Sequence, residues 1–183
     1  MSTLRDRALG ALTGLALGDA LGMPTQELSR ARAEELLGAG PRFLPGPPDN
    51  PISAGMPAGR ITDDTEQALL LGEVLVRGDG VIDPLLLAEA LLGWQEQMAA
   101  RGSLDLLGPS TAAALQAVRD GADPTTTGRR GTTNGAAMRI APIGIATAHP
   151  ALDLASRDAA GRDGAGRDGA DPGEARFVAA IHH

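Results

Sequence analysis

Residues 59–78 read GRITDDTEQALLLGEVLVRG, and the two halves of that stretch behave differently. From Asp64 to Arg77, Ala68, Leu71 and Leu75 recur at helical spacing, so one apolar face runs along the segment and Gly78 is placed to end it. The start, Thr62-Asp63-Asp64-Thr65, sets two carboxylates between two hydroxyls just where that helix begins. Two readings of the start are open. Acids and threonines are ordinary N-terminal helix residues, and Asp63 with Glu66 three positions later resembles a capping box. The same oxygens also suit a hard cation such as Mg²⁺, because neighbouring side chains at a helix start can converge on one point.

Working outward, the flanking segments repeat the helical pattern. Residues 4–21 form an apolar run in which Gly10, Gly14, Gly18 and Gly22 recur every fourth position. Each glycine costs a helix about 1 kcal/mol relative to alanine. Four on one face therefore predict a close approach, by a second helix packed against them in preference to direct contact with a ligand. Asp83-Pro84 is an N-cap followed by a first-turn proline, opening a helix with a Leu87, Leu91, Trp94 and Met98 stripe and with Glu89 and Glu96 outside. Ser110 is the predicted cap of a further helix over 111–120, closed by Gly121. No segment alternates with period two for long enough to make a strand, and the expected class is all-α.

Between the first two helices, Pro41, Pro45, Pro47, Pro48, Pro51 and Pro57 exclude both helix interior and central strand, leaving a long loop, ordered or flexible. A loop of that length in a small domain is more often functional than idle. After residue 149 the character changes. Residues 156–173 read SRDAAGRDGAGRDGADPG, a charged, glycine-rich repeat with too little apolar surface to order itself. Residues 175–181 then resemble the beginning of another helix. The expected organisation is a helical domain over 1–149, a low-complexity segment over 150–173 and the start of a helix over 174–183.

Composition narrows the chemistry. The net charge of −7 and only three aromatic residues, Phe43, Trp94 and Phe177, argue against a nucleic-acid partner. With no cysteine, disulfides, thiolate metal sites and cysteine nucleophiles are excluded. The apolar run at residues 8–22 is broken by Asp19 and is too short for a bilayer, so a cytoplasmic protein without a membrane partner is expected.

Two other clusters carry polar chemistry. In residues 131–139, GTTNGAAMR, small residues and Asn134 let backbone N–H groups approach a ligand, and a helix starting there would suit a phosphate, with Arg129 and Arg130 nearby. An ordinary Gly/Asn turn ahead of a helix explains the same residues. Asp19 at the end of the first helix and Gln26 and Glu27 just after it form a cluster, as ligand contacts or as helix-end polar groups.

Taken in order, GALTGLALGDALGMPTQ (10–26), GRITDDTEQALLL (59–71) and TTNGAAMRIAPIGI (132–145) resemble the ADP-ribosylglycohydrolase family over residues 4–147. The resemblance implies an all-α fold with two Mg²⁺ ions in a cleft and hydrolysis of the bond between ADP-ribose and a protein side chain or other acceptor. It implies that Thr62, Asp63 and Asp64 are metal ligands, with Asp63 and Asp64 also catalytic. Asn134, Gly135, Met138 and Arg139 would receive the diphosphate and ribose, and Asp19 would sit behind the metals. Gln26 stands where many members have Glu, with Glu27 beside it. The family's later Asp-x-Asp-Thr segment is absent, so the chain is expected to be a C-terminally truncated form with exposed apolar helix faces. The alternatives are a module that binds ADP-ribose without cleaving it and a helical interaction protein.

Overall fold

The computed structural model describes residues 4–103 and 107–148; the low-complexity repeat and the apolar run at 175–181 lie outside the described residues. Among the described residues the structure is helical throughout and contains no strand. Helix α1 (Leu4–Gly22) runs into a 3-10 turn, Met23–Thr25, and is followed by α2 (Arg30–Leu37), α3 (Asp63–Arg77), α4 (Pro84–Ala100) and α5 (Pro109–Arg119). Two single turns, α6 (Pro124–Thr127) and α7 (Gly135–Met138), precede α8 (Ala141–Thr147). No helix among the described residues is long and apolar enough to cross a membrane.

Helix α3 is the hub, packing against α1, α4, α7 and α8. Its buried face carries Ala68, Leu71 and Leu75, as the periodicity predicts, and also Thr65 and Gln67. Gly72 lies on the side facing α8, next to Pro142. Helix α4 opens at Asp83, whose carboxylate accepts the Leu85 and Leu86 amides at 2.8 and 3.4 Å, with Pro84 at the first helical position. Leu91, Leu92, Trp94, Met98 and Leu107 then form the main core cluster, with Leu70, Leu87, Ala112 and Leu115 against it. The Trp94 indole donates to Glu66 Oε2 at 2.8 Å and so ties α4 to the first turn of α3. Trp94→Phe removes that bond and part of a buried ring; we expect a loss of about 2 kcal/mol in a urea titration followed by circular dichroism.

Two sequence expectations need correction, and a third holds for a different reason. Helix α5 is capped by Gly108 and starts at Pro109, not behind Ser110, because proline needs no amide partner at a first turn; the Ser110 hydroxyl instead meets Thr132 at 3.4 Å. Gly78 does end α3, but at φ −89°. What it provides is space, since a Cβ there would lie 2.0 Å from the Val81 carbonyl oxygen. Among the described residues the glycine stripe of α1 is not packed against a second helix: a Cβ at Gly10, Gly14, Gly18 or Gly22 would meet none of their atoms within 4 Å.

The proline-rich loop is ordered by its own hydrogen bonds. Asn50 Oδ1 accepts the Ile52 and Ser53 amides, each at 2.8 Å, while its Nδ2 donates to the Gln26 carbonyl at 2.8 Å. Gly46 crosses directly over Ser53, where a Cβ would sit 1.7 Å from the carbonyl oxygen. Arg32 reaches Asp49 through Nε and Nη2 at 3.0 and 3.2 Å, joining α2 to the loop. The Arg32 guanidinium holds the Asp49 carboxyl below its ordinary range.

The expected exposed apolar faces are present. Helices α1, α3 and α8 leave a groove of about 620 Å³ lined by Leu12, Leu69, Val76, Pro142 and Ile145. Leu69 is 44% and Val76 64% exposed. Patches of this kind favour association.

Candidate active site

The start of α3 is capped from a distance. Thr62 is the N-cap residue, yet its side chain makes no capping bond within its own helix. Instead Asp19, near the end of α1, accepts four hydrogen bonds: Thr62 N (2.8 Å) and Thr65 N (3.2 Å) on Oδ2, Thr62 Oγ1 (2.6 Å) on Oδ1, and Thr65 Oγ1 (2.5 Å) on Oδ2. A carboxylate at a helix N-terminus is favoured both by the free amides and by the helix dipole. The local capping box read from Asp63 and Glu66 is therefore not formed. Glu66 is spent on Arg60 (2.7 Å) and Trp94, and Asp63 is already the first helical residue.

With capping delegated to Asp19, the carboxylates of Asp63 and Asp64 are left to face the molecular surface. Asp63 Oδ2 accepts from Gln67 Nε2 at 3.2 Å, one helical turn on. The half-buried Asp64 carboxyl is pushed above its ordinary range, first by loss of solvent and then by the Asp19 charge. Both influences would be relieved by a nearby cation. Two carboxylates and a threonine hydroxyl form an oxygen donor set suited to a hard cation. Among the described residues no group of three or more His, Asp or Glu is gathered tightly enough to hold a metal alone. A Mg²⁺ ion fits such a partial shell, because it commonly takes one or two protein carboxylates and fills its remaining positions with water and ligand oxygens.

Asp63 and Asp64 border a cavity of about 510 Å³. Its wall includes Gln26 and Glu27 from the turn after α1, and Asn134, Gly135, Met138 and Arg139 from the segment around α7. Glu27 reaches this wall from a left-handed backbone, φ 59°. A second space of about 450 Å³ adjoins it, bordered by Gly14, Gly18, Asp19 and Thr62 and sharing Gln26 and Asp64 with the first. The glycine face of α1 thus borders a cavity where the sequence predicted a packed helix.

Arg139 is 9% exposed, and burial lowers its pKa while the Asp63 charge raises it. It remains a cation, since a guanidinium keeps its proton in proteins. Its guanidinium lies against Gly135, where a Cβ would stand 2.8 Å from Arg139 Nη2 and 2.6 Å from Thr111 Oγ1. Of the two readings of residues 131–139, an anion-suited helix start and an ordinary Gly/Asn turn, the structure has a helix there, but a very short one. Helix α7 is one turn long, so its dipole is slight. Arg129 and Arg130 are exposed and border neither cavity. The positive charge in the site comes from Arg139.

The family model of ADP-ribosylglycohydrolases matches residues 1–172. The chain belongs to the ADP-ribosylglycohydrolase family. It is 42% identical over 151 residues to the uncharacterized protein YegU of Escherichia coli, covering 82% of this chain and 44% of that one. It is 35% identical over 155 residues to the ADP-ribosylarginine hydrolase Tri1 of Pseudomonas putida, covering 79% and 37%. Against the ADP-ribosyl-[dinitrogen reductase] glycohydrolase of Rhodospirillum rubrum the identity is 30% over 150 residues, covering 81% and 48%. The chain spans less than half the length of these relatives.

In this member of the ADP-ribosylglycohydrolase family, Asp19, Gln26, Glu27, Thr62, Asp63, Asp64, Asn134, Gly135, Met138 and Arg139 each border one or both of the adjoining cavities, whereas Arg129 and Arg130 border neither. Sequence reasoning missed Thr111 and Gln67 on the wall, and gave Thr133 no role of its own within the segment 131–139. Thr111 carries no local signal. Gln67 carries one: it is a polar residue on the buried side of α3, four positions after Asp63.

Proposed function

We propose that the chain carries one wall of the site of a Mg²⁺-dependent hydrolase that cleaves the glycosidic bond between ADP-ribose and a protein side chain or another acceptor. The supporting observation is the cavity itself, which sets Asp63 and Asp64 on the same wall as Asn134 and the buried Arg139. The activities for which the Pseudomonas and Rhodospirillum relatives are named agree with that chemistry. A cytoplasmic location goes with this reading.

Thr62, Asp63 and Asp64 are the residues that would hold the cation, and a full family site takes two. When bound, Mg²⁺ supplies positive charge that orients ligand oxygens and eases loss of a proton from water. The protein's own groups do the rest. Asp19 fixes the first turn of α3 through its four hydrogen bonds, so the two carboxylates hold one geometry. Arg139 meets the diphosphate charge and Asn134, exposed at the rim, offers a further polar contact. In hydrolysis a water oxygen bonds to the anomeric carbon as the acceptor leaves with a proton. Asp63 or Asp64 takes the water proton, and their charge stabilises the oxocarbenium-like sugar.

The reading is tested by incubating the protein with an ADP-ribosylated arginine peptide and measuring free ADP-ribose, with Mg²⁺ and with excess chelator. Release that depends on Mg²⁺ supports it; an equal rate in chelator contradicts it. A binding-only site is favoured by one feature, the uncharged Gln26 that borders both cavities, and it would give saturable ADP-ribose binding with no product.

Gly135 provides a second check. Gly135→Ala pushes a methyl group into Arg139 and Thr111, and the long Arg139 side chain yields more readily than backbone. We expect ADP-ribose affinity to fall on the order of 10- to 100-fold, as for loss of a charge-assisted contact. The melting temperature, read by differential scanning fluorimetry, should change little.

A further inference from the structure

Gln67 is fully buried on α3, 0% exposed, and borders the site cavity. Its amide is half used. Nε2 donates to Asp63 Oδ2 at 3.2 Å, while Oε1 is buried and receives no hydrogen bond from the described residues. Asp63 fixes which way the amide faces, because the reverse orientation would set the Gln67 oxygen against a carboxylate oxygen. A buried acceptor without a donor is rare in proteins and calls for an explanation. At the wall of a cavity the natural explanation is a ligand group. Arg139 presents the complementary case on the same wall, with a buried Nε–H that has no acceptor among the described residues.

These two atoms ask for different things. Arg139 Nε needs an acceptor, which a phosphate oxygen supplies. Gln67 Oε1 needs a donor, which an ionised phosphate cannot be and a hydroxyl can. Resting on the proposed ADP-ribose reading, we infer that Gln67 is a ligand-contacting specificity residue: its Oε1 accepts a hydrogen bond from a hydroxyl of the ribose at the bond to be cleaved. The same side chain holds Asp63 through Nε2, so recognition of the sugar hydroxyl and orientation of a site carboxylate share one amide. Sites built around a buried acceptor reject ligands that lack the matching hydroxyl, because the acceptor then stays unpaired.

The test uses the full chain in Mg²⁺ with ADP-ribose and with its analogues lacking the 2- or the 3-hydroxyl of that ribose, titrated by calorimetry into wild type and Gln67→Met. Methionine keeps the length of the side chain and removes both polar atoms. Wild type should bind ADP-ribose on the order of 10- to 100-fold more tightly than one of the two deoxy analogues. In Gln67→Met that ratio should collapse towards one. A ratio retained by Gln67→Met, with all ligands weakened alike, overturns the inference and leaves Gln67 as a support for Asp63. Equal binding of all three ligands by wild type also overturns it while the proposed function stands, and this arm decides the matter even if the variant does not fold. Wild type that binds none of the ligands overturns the proposed function and the inference with it.

Discussion

Asp19→Ala should lower stability by about 3–5 kcal/mol and abolish any response to Mg²⁺. Asp19 accepts the Thr62 and Thr65 amides and both their hydroxyls, all on one charged carboxylate, and the Thr62 hydroxyl has only a longer alternative, Asp64 Oδ2 at 3.4 Å, among the described residues. Hydrogen bonds to a charged group contribute about 1.5–3 kcal/mol each, but four that share an acceptor do not add independently. The loss is offset in part, because the Asp19 charge also burdens Asp64. A few kilocalories is a large share of the roughly 5–15 kcal/mol that holds a domain folded. Asp19→Asn keeps the shape but turns one oxygen into a donor facing other donors, so it should recover little. Urea unfolding followed by the fluorescence of Trp94, the chain's only tryptophan, measures both variants. A loss below about 1 kcal/mol for Asp19→Ala would mean that α3 does not depend on this cap.

Asp64→Asn should act in the opposite direction on stability and in the same direction on cation binding. Burial and the Asp19 charge raise the Asp64 pKa, so the folded protein holds that proton more tightly than the unfolded chain does. Near neutral pH the ionised form is therefore a cost to the folded state. As pH falls through the raised pKa, Asp64 is protonated and its cost is relieved. Neutral asparagine removes the cost at every pH. The variant should melt at a higher temperature than wild type at pH 7, and the difference should shrink as the pH is lowered towards 4. Its Mg²⁺ affinity should fall on the order of 100-fold, because one of two carboxylates is lost. For wild type, Mg²⁺ should stabilise more at pH 7 than at pH 5, since proton and cation compete for the same oxygens. Thermal melts across this pH range, with and without Mg²⁺, decide the matter. A variant that melts lower than wild type at pH 7 without cation would contradict the account.

These two residues also show where sequence reading succeeds. The apolar faces of α3 and α4 are legible because burial imposes a 3.6-residue period, and Ala68, Leu71, Leu75, Leu91, Trp94 and Met98 are all buried as that period requires. Asp83-Pro84 is legible because an N-cap and a first-turn proline act within three residues. The cap on α3 is not, since its acceptor lies 43 residues before Thr62, and a local rule assigns the work to Asp63 and Glu66 instead. The glycines of α1 mislead for a related reason. Glycine spacing reports a face without side chains, and such a face serves a cavity as well as a packed helix. The site clusters were legible as candidates, but Arg129 and Arg130 drew attention by adjacency while Arg139 holds the buried position. Gln67 passed unnoticed because a buried glutamine gains its meaning only from Asp63 beside it and the cavity in front of it.

The most direct measurement of the central claim is a calorimetric titration of ADP-ribose into the protein, in Mg²⁺ and in excess chelator, repeated with a variant carrying Asp63→Ala and Asp64→Ala. The account predicts saturable binding in Mg²⁺ that is lost in chelator and lost in the variant. Binding that is the same in all three cases, or absent from the wild type in Mg²⁺, would contradict it.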